Sequence, residues 1–464
     1  MMSRPPSRSN TATTLARKGA DGPSRARRPQ AVTLQPDSLA WAMKTASNCV
    51  TEVVAFGRSL TAVLANLRQQ DLPPNAVRAQ AINLTYATLR RFWRGDVELA
   101  MLLDRPTAED ELRSLLRVAL CWLEMHPEKA HVGVDQAVKA AATLSAGRYR
   151  GFVNAILRRA LRERAQLDAA IAADDEARYQ HPAWWLQRLK ADWPETWEAF
   201  VAGGNRKPPM GLRVNRLRID QNAYRQQLLD AGIAVEAVLP GDGADAILLT
   251  QPQTAESLPG FAQSLVSIQD LGAQQAAHLL DVQPGMRVLD ACAAPGGKAA
   301  HLLESAPIEL TAVEMDPDRC AALKRALDPA RFPVDRTINV VCADGADTHA
   351  AWAKRHFDAI LLDAPCSGSG VAGRHPDAKW LRRDEDIYAL ARTQKRLLKA
   401  LWALLKPGGR LLYGTCSVFA LENQQQIERF LRDTPDARLL TQQHLLPDAR
   451  HDGFFYALLW KEAA

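Results

Sequence analysis

The spacing of apolar residues changes along this chain of 464 residues. From residue 38 to about residue 170, apolar residues recur every three or four positions, which is the period of an amphipathic helix. In the segment TAEDELRSLLRVALCWLEMH, Thr107 and Asp110 predict a helix start. The predicted buried face of this helix contains Leu112, Leu115, Leu116, Ala119, Leu120 and Leu123. We therefore expect an all-helical domain over residues 37–170.

A second helical segment, YRGFVNAILRRALRERAQ, combines an apolar side with many arginines. The apolar side is predicted to contain Phe152, Val153, Ile156, Leu157, Ala160 and Leu161. The remaining positions hold Arg148, Arg150, Arg158, Arg159, Arg162 and Arg164. A solvated helix face explains any one of these arginines, but together they favour a surface that contacts phosphate groups.

Residues 171–270 have a mixed pattern. RYQHPAWWLQRLKADWP (178–194) predicts an aromatic helical connector, and DQNAYRQQLLDAG (220–232) predicts another helix. Four short segments predict strands: MGLRVN, AVEAVLP, AILLTQ and SLVSIQD. We therefore expect a small α+β domain. In its first strand, Arg213 and Asn215 alternate with apolar residues, so we expect both on one open face that binds RNA; an ordinary strand edge is the alternative.

Residues 271–464 alternate between strand and helix patterns. The predicted strands are MRVLDA (286–291), ELTAVE (309–314), INVVC (338–342), FDAILLD (357–363), RLLYGT (410–415) and GFFYALLW (453–460). The longest predicted helix covers residues 384–405, and Lys406-Pro-Gly-Gly follows it as a stop signal. This alternation predicts a multidomain protein whose last domain is α/β, with a mostly parallel sheet covered by helices on both faces.

Composition adds few constraints. The hydrophobic fraction of 47% and charged fraction of 24% are ordinary for a globular protein, and no apolar run reaches the about 18 residues of a membrane span. A net charge of +6 mildly favours a polyanionic partner. The seven cysteines include no CxxC pair and no secretory segment precedes them, which indicates reduced cysteines in the cytoplasm. No metal and no membrane partner are predicted, and we expect a monomer.

The first 36 residues differ from the rest in composition. They contain Arg4, Arg8, Arg17, Lys18, Arg25, Arg27 and Arg28 against the single acid Asp21. Because few apolar residues accompany them, we expect a disordered tail. A loose arm that contacts RNA is compatible with this expectation. A transit peptide would need an amphipathic helix, and the segment has almost no apolar residues to form one.

A glycine-containing loop follows the first strand of the α/β domain, in DACAAPGGKAAHLL (290–303). Its predicted ligand-binding residues are Cys292, Ala293, Ala294, Pro295, Gly296, Gly297 and Lys298. The next three strands end at or just before the acids Glu314, Asp344 and Asp363. An acid after the second strand is placed to bind ribose hydroxyls, and Asp344 is placed to meet an adenine amino group. Chance acids in solvated loops are the alternative to a nucleoside site.

The loop argues against a dinucleotide. A dinucleotide-binding fold carries G-x-G-x-x-G and holds a pyrophosphate at the helix start. The sequence AAPGGK lacks that motif. S-adenosylmethionine has no phosphate, so a loop that only surrounds its ribose and methionine parts suffices. The sequence therefore favours methyl transfer from S-adenosylmethionine.

Two cysteines end two strands in similar segments, ILLDAPCS (360–367) and LLYGTCSV (411–418). Carbon C5 of cytosine is a poor nucleophile, but addition of a thiolate at C6 makes C5 electron-rich. The pair DAPCS and TCS resembles the RNA cytosine-C5 methyltransferases. That resemblance implies that Cys416 attacks C6, Cys366 assists release of the product, and Asp363 is the acid beside the base.

Longer segments narrow the resemblance. VGVDQAVKAAATLSAGRYRGFVNAILRRAL resembles the core of the NusB-type RNA-binding fold. With SIQDLGAQQAAHLLDVQPG and SGSGVAGRHPDAKWLRR, residues 38–460 resemble the bacterial small-subunit ribosomal RNA cytosine-C5 methyltransferase B family, also called Sun or Fmu. Glu314 stands where that family often has Asp, which keeps the hydrogen-bonding role. The basic tail lies outside the family pattern.

The resemblance implies 16S ribosomal RNA as the substrate. The residues after the PCS segment that we expect to contact RNA are Arg374, His375, Lys379 and Arg382. A surface loop anchored by Trp380 is the alternative. Two other functions remain open: a cytosine-C5 methyltransferase for another RNA such as tRNA, and a non-catalytic RNA-binding factor for ribosome assembly. The presence of both cysteines and all the acids argues against a retired site.

Overall fold

A computed structural model of the chain describes residues 33–69, 75–107, 109–237 and 239–463. Most of the predicted basic tail therefore lies outside the described residues. No helix among the described residues is both long and apolar enough to cross a membrane.

The first domain is all-helical, as predicted. Its helices are α1 (Leu39–Val54), α2 (Leu60–Gln69), α3 (Asn75–Arg90), α4 (Phe92–Leu102), α5 (Asp110–Met125), α6 (Ala130–Ala141), α7 (Arg150–Arg162) and α8 (Arg164–Ala173). Helix α5 is central, and its predicted apolar face is buried throughout. Its N-cap is Glu109, so the predicted start at Thr107 is wrong. The Thr107 hydroxyl instead accepts a hydrogen bond from the Glu109 N–H, outside the helix.

Helix α7 buries a narrower face than its sequence predicts. Its buried residues are Val153, Ile156, Leu157 and Ala160. Phe152 and Leu161 are 39% and 40% exposed, so their predicted burial is wrong. Both residues lie at the edges of the apolar face of the helix, where side chains reach solvent and not the core. Of the arginines, Arg159 and Arg164 form ion pairs with Glu163 and Glu98, and the other four are exposed.

The connector begins with three helices, α9 (Asp175–Tyr179), α10 (Ala183–Asp192) and α11 (Trp197–Asn205). The small domain follows with β1 (Met210–Val214), α12 (Gln221–Asp230), β2 (Ala246–Leu249) and β3 (Val266–Ile268). Its strands form an antiparallel sheet in the order β2-β1-β3. The strand predicted for AVEAVLP is wrong for its described residues, among which Val235 alone forms a bridge, to Leu249. Pro240 and two glycines with positive φ then turn the chain away.

The last domain is built on a seven-stranded sheet in the order β6-β5-β4-β7-β8-β10-β9. The strands are β4 (Arg287–Ala291), β5 (Glu309–Glu314), β6 (Thr337–Cys342), β7 (Phe357–Asp363), β8 (Leu405–Thr415), β9 (Ala437–Leu445) and β10 (Phe454–Lys461). The helices are α13 (Leu271–Leu280), α14 (Gly297–Ser305), α15 (Pro317–Ala326), α16 (Ala378–Leu381), α17 (Asp384–Leu404) and α18 (Gln424–Asp433).

Five strands of this sheet are parallel, and β10 and β9 add two antiparallel pairings. Apolar side chains from the two faces of the sheet form two separate cores, one toward α14 and α15 and the other toward α17 and α18. Strand β9 was not predicted. It is an edge strand in which adjacent leucines and the polar segment TQQH break the alternation of a half-buried strand. The parallel strands all end at one edge of the sheet, where the site lies.

Candidate active site

The glycine-containing loop forms the sharp turn that its sequence predicts. It connects β4 to α14, and Gly296 has φ of 105°. A Cβ at Gly296 would lie 3.0 Å from the Cβ of Ala326 and 3.1 Å from Leu323, so both conformation and space favour glycine. The Ala293 N–H donates to the Val313 carbonyl at 2.9 Å, which folds the loop onto the end of β5. This fold of the loop places the first turn of α14 beside the carboxyl ends of the parallel strands.

Glu314 and Asp344 occupy the ends of β5 and β6 in different states. Glu314 is buried; its Oε1 accepts from the Asp316 N–H at 3.0 Å, and its Oε2 has no hydrogen-bond partner. Asp344 forms an ion pair with Arg396 at 2.7 Å. Burial alone would raise the pKa of Asp344, but hydrogen bonds from Arg396 and the Ala346 N–H, together with the charge of Arg396, lower it overall. Glu314 Oε2 lies 3.5 Å from the guanidinium of the exposed Arg319, a looser ion pair than that of Asp344 with Arg396, so this oxygen can still accept from a ligand.

Asp290, which the sequence analysis did not select, lies near the end of β4. It is 1% exposed, and neither carboxylate oxygen has a hydrogen-bond partner. Burial and then the charge of Asp363 raise its pKa well above the ordinary value. A buried carboxyl without partners is costly unless a ligand supplies donors. The sequence feature that could have identified Asp290 is its position as an acid inside the apolar segment MRVLDA, directly before the glycine-containing loop.

Asp363 and Lys298 form an ion pair between β7 and α14. Lys298 Nζ lies 2.7 Å from Asp363 Oδ2 and 5.5 Å from the centre of the Phe454 ring. Burial alone would lower the pKa of Lys298, but the charge of Asp363 and its hydrogen bond, together with other nearby groups, raise this pKa overall. Lys298 therefore stays charged and holds the Asp363 carboxyl group at the edge of the site.

The two cysteines predicted to act together lie in contact. Cys366 Sγ is 3.4 Å from Cys416 Sγ. They follow the neighbouring parallel strands β7 and β8, in which Asp363 pairs with Gly414. The hydrogen bond with Cys416 and then burial raise the pKa of Cys366 well above its ordinary value. Cys366 is therefore a thiol at neutral pH, able to donate its proton toward the sulfur of Cys416.

A buried network beneath the cysteines was also missed by the sequence analysis. The Ser417 hydroxyl donates to Glu422 Oε2 at 2.5 Å, and the Ser367 N–H donates to Glu422 Oε1 at 2.9 Å. The two serine hydroxyls lie 3.1 Å apart, and Gln394 donates to Oε1 at 3.0 Å. Burial raises the pKa of Glu422. Because each serine follows one of the cysteines, Glu422 ties both cysteine segments together.

Most of the residues predicted to contact RNA have partners within the protein. Arg213 and Asn215 are 1% and 4% exposed, so the predicted open face is wrong. Arg213 donates to Glu304 at 2.9 Å and to the Gly297 carbonyl at 2.7 Å, because β1 packs against α14. Asn215 donates to the Ser264 carbonyl at 3.2 Å.

The segment 373–382 joins the domains rather than forming an open surface. Lys379 is 2% exposed and donates to the Gln180 carbonyl and to Asn205, which corrects its predicted surface position. Trp380 stacks on Trp93 of the helical domain with ring centres 4.6 Å apart, so it is the anchor that the alternative interpretation described.

The other predicted RNA contacts in this segment are only partly engaged within the protein. Arg374 forms ion pairs with Asp270 and Asp452, and Arg382 donates to the Ser367 carbonyl. His375 is exposed. RNA contact by His375, Arg374 and Arg382 stays a prediction.

A parallel sheet with a glycine turn, acids at the strand ends and a cysteine pair defines a Rossmann-like methyltransferase. Comparison with known proteins agrees. The model of the 16S rRNA methyltransferase RsmB/F family matches residues 277–460. The RsmF/B-like ferredoxin-like domain matches residues 181–256, and the NusB family matches residues 42–162.

Relatives match along nearly the whole chain. Ribosomal RNA small subunit methyltransferase B of Vibrio vulnificus is 39% identical over 428 residues, covering 90% of this chain and 99% of the relative. The protein of that name from Xanthomonas campestris is 42% identical, covering 90% and 96%. The crystal structure of PH0851 has a TM-score of 0.73 at 23% identity, covering 90% and 99%, and shows the same fold. A methyltransferase homolog from Pyrococcus horikoshii has a TM-score of 0.54 at 27% identity, covering 62% and 97%.

The chain belongs to the RsmB/F family of 16S rRNA methyltransferases. The family resemblance and the three-part fold predicted from the sequence are confirmed. The boundaries at residues 36, 170 and 270 stay predictions.

Proposed function

We propose that this protein transfers a methyl group from S-adenosylmethionine to C5 of a cytosine in 16S ribosomal RNA, through a covalent bond between Cys416 and C6. The observation that carries the proposal is the contact of Cys366 and Cys416 at 3.4 Å, at the strand edge that also holds the glycine-containing loop. One cysteine suffices for attack on C6. A second thiol in contact with the first indicates a separate task in the same reaction.

The residues at the strand ends fit S-adenosylmethionine. Neither carboxyl oxygen of Asp290, nor Glu314 Oε2, has a hydrogen-bond partner, and these atoms are acceptors for ammonium and ribose hydroxyl groups. The positive φ of Gly296 forms the sharp turn that places the start of α14 beside these acids. When bound there, the cofactor supplies an electrophilic methyl group. The Lys298–Asp363 ion pair holds the carboxylate between this site and the cysteines.

The two cysteines act in different steps of the covalent reaction. The Cys416 thiolate adds to C6, and the ring becomes electron-rich at C5. Addition at C6 puts negative charge on N3, and a proton held between the Asp363 carboxyl group and N3 would neutralise that charge. After methylation, the bond between C6 and Cys416 breaks, and Cys366, a thiol because its pKa is raised, gives its proton to the departing Cys416 sulfur. The Cys366 thiolate formed in this way accepts the C5 proton, and the electron pair of the C5–H bond restores the double bond between C5 and C6.

The substrate assignment rests on the relatives, whose name specifies the small ribosomal subunit. A cytosine in a duplex has its C5–C6 edge stacked between neighbours, so the target base must be splayed or flipped into the site. This assignment places the protein in the cytoplasm, where 16S RNA is assembled into subunits.

Bisulfite sequencing of total RNA from cells with and without the protein tests the proposal. We expect a cytosine of 16S RNA to resist conversion only when the protein is present. Loss of protection in a tRNA alone would make the protein a tRNA methyltransferase. Unchanged protection in every RNA would favour the non-catalytic assembly factor.

A further inference from the structure

Asp245, His278 and His301 form a cluster of metal-ligating side chains away from the cysteines. Asp245 comes from the small domain just before β2, His278 from α13 and His301 from α14. Asp245 Oδ1 lies 3.0 Å from His278 Nε2, and Asp245 Oδ2 lies 2.6 Å from His301 Nε2. The three ligand atoms all lie within 4.8 Å of one another. No metal site is predicted from the sequence, because these residues are widely separated in the chain.

Asp245 is a buried carboxyl group in contact with both imidazoles. The side chains of Asp245 and His301 are 4% and 3% exposed. In the described part of the chain, no lysine or arginine forms an ion pair with Asp245, and Arg213 pairs with Glu304 instead. Buried carboxylates are normally paired or bound to a metal.

The arrangement of the two imidazoles suits a tetrahedral ion. Their ring centres lie 5.1 Å apart, and the ring planes are nearly perpendicular at 88°. Two imidazoles that bind one tetrahedral Zn²⁺ through Nε2 have ring centres separated by about 5 Å, given Zn–N bonds of roughly 2.0–2.1 Å. Gly243 makes room for this approach, because a Cβ there would lie 2.6 Å from His278 Nε2.

We infer that Asp245, His278 and His301 bind a zinc ion that joins the small domain to α13 and α14. Two imidazoles and a carboxylate are ordinary zinc ligands, and the partly exposed side of His278 leaves a fourth position open to water. The ion would neutralise Asp245 and fix α14, the helix that begins at the glycine-containing loop. His301 Nδ1 has no hydrogen-bond partner among the described residues. We therefore expect roughly 10–100-fold weaker binding than at a site whose histidines have such partners.

The test uses the metal-free full-length protein, titrated with ZnCl₂ by calorimetry and with CoCl₂ by visible absorption. The matched variants are His278→Gln, in which the partly exposed ligand is lost, and His131→Gln, in which an exposed histidine of the helical domain is lost. We expect the wild-type protein and His131→Gln to bind one equivalent of zinc and to melt at a higher temperature with it. His278→Gln should bind at least about tenfold more weakly and lose the thermal shift.

Cobalt separates this site from the cysteines. Binding at Asp245, His278 and His301 should give visible d–d bands without the near-ultraviolet band of thiolate ligation. A thiolate band would assign the metal to the cysteines and overturn the proposal. Absence of binding at tenfold excess zinc, or unchanged affinity in His278→Gln, would show that the cluster is a hydrogen-bonded contact between domains. Melting of the metal-free variants reports whether they are folded.

Discussion

The sulfur atoms of Cys366 and Cys416 lie 3.4 Å apart, although 50 positions separate the two residues in the chain. Parallel pairing of β7 and β8 brings their loops to the same edge, with Asp363 opposite Gly414. Bonds from both following serines to Glu422 then set the separation. The hydrogen bond with Cys416 and then burial raise the pKa of Cys366 well above its ordinary value, so Cys366 stays protonated.

The two cysteines should respond differently to substitution. Cys416→Ala removes the nucleophile, so we expect methylation to fall by at least about a thousandfold and no adduct to form. Cys366→Ala leaves attack and methyl transfer intact but slows release, so a protein–RNA adduct should accumulate. Denaturing electrophoresis with radiolabelled 16S RNA and S-adenosylmethionine measures both results. An adduct in Cys416→Ala and none in Cys366→Ala would reverse the assignment, and methylation without any adduct in either variant would exclude the covalent route.

Glu422 should position the cysteines without touching the substrate. Glu422→Ala leaves the buried Ser367 N–H and the Gln394 amide without their acceptor, which costs about 1–3 kcal/mol of unfolding free energy. A displacement of about 1 Å at the reacting sulfur would lower the methylation rate about a hundredfold. Glu422→Gln keeps one acceptor oxygen and should recover part of both quantities.

The control for Glu422 is Glu428→Gln, an exposed position on helix α18, which follows Glu422. It should leave stability and rate unchanged. Denaturant unfolding and initial methylation rates measure the two effects. A Glu422→Ala protein that is destabilised but methylates at the wild-type rate would restrict this residue to a structural role.

Much of the fold follows from periodicity in the sequence, because each helix and most strands bury one consistent face. Helix α5 and the strands β4 to β8 are predicted on that basis. Strand β9 is not, since an edge strand buries too little to impose alternation. AVEAVLP has a strand composition, but its described residues form a single bridge to β2 before Gly241 and Gly243, which have positive φ.

The motif residues of the site are predicted because they stand at strand ends, whereas their partners depend on tertiary contacts. Arg213 and Lys379 were expected at the surface as basic residues, but their partners, Glu304 and Asn205, lie far away in the sequence. Asp290 and Glu422, in contrast, were not predicted as site residues, although the fold buries both of them at the site. Asp290 stands within an apolar segment and Glu422 directly follows one, and only the burial around each shows that its carboxyl group is important.

Cofactor binding should depend on Glu314 in the absence of RNA. Because Glu314 Oε2 is buried and has no hydrogen-bond partner, we expect it to accept from a ribose hydroxyl. Glu314→Ala should weaken S-adenosylmethionine binding at least about tenfold, equivalent to about 1.4 kcal/mol. Glu309→Ala, at the opposite end of β5, is the control. Calorimetry that gave equal affinities for wild-type and Glu314→Ala proteins would place the cofactor elsewhere.

Acid should destabilise the protein partly through His444. Its ring packs on Trp193 and Phe455, and burial lowers its pKa from 6.5 to about 4. Between these values the unfolded state binds more protons than the folded state, so stability falls as pH decreases below 6.5. At about 1.4 kcal/mol per pH unit, this residue contributes a loss of about 1–2 kcal/mol between pH 7 and 5. In urea unfolding at both pH values, His444→Gln should reduce the loss and His349→Gln, at an exposed position, should not. Equal losses in all three proteins would contradict the assignment.

The exposed arginines of α7 should supply RNA affinity without chemistry. Deleting the whole helical domain would expose Trp380, which stacks on Trp93, so point substitutions are the cleaner test. Arg158→Gln with Arg162→Gln removes two exposed charges from one helix face. If both arginines contact phosphates, the magnitude of the slope of the logarithm of the RNA-binding constant against the logarithm of the salt concentration should fall by about 1.4–1.8, with unchanged cofactor affinity.

The matched double variant Arg392→Gln with Lys399→Gln removes two exposed charges from α17 and should leave the slope nearly unchanged. Equal slopes for both double variants would mean that net charge, and not this face of α7, determines RNA binding.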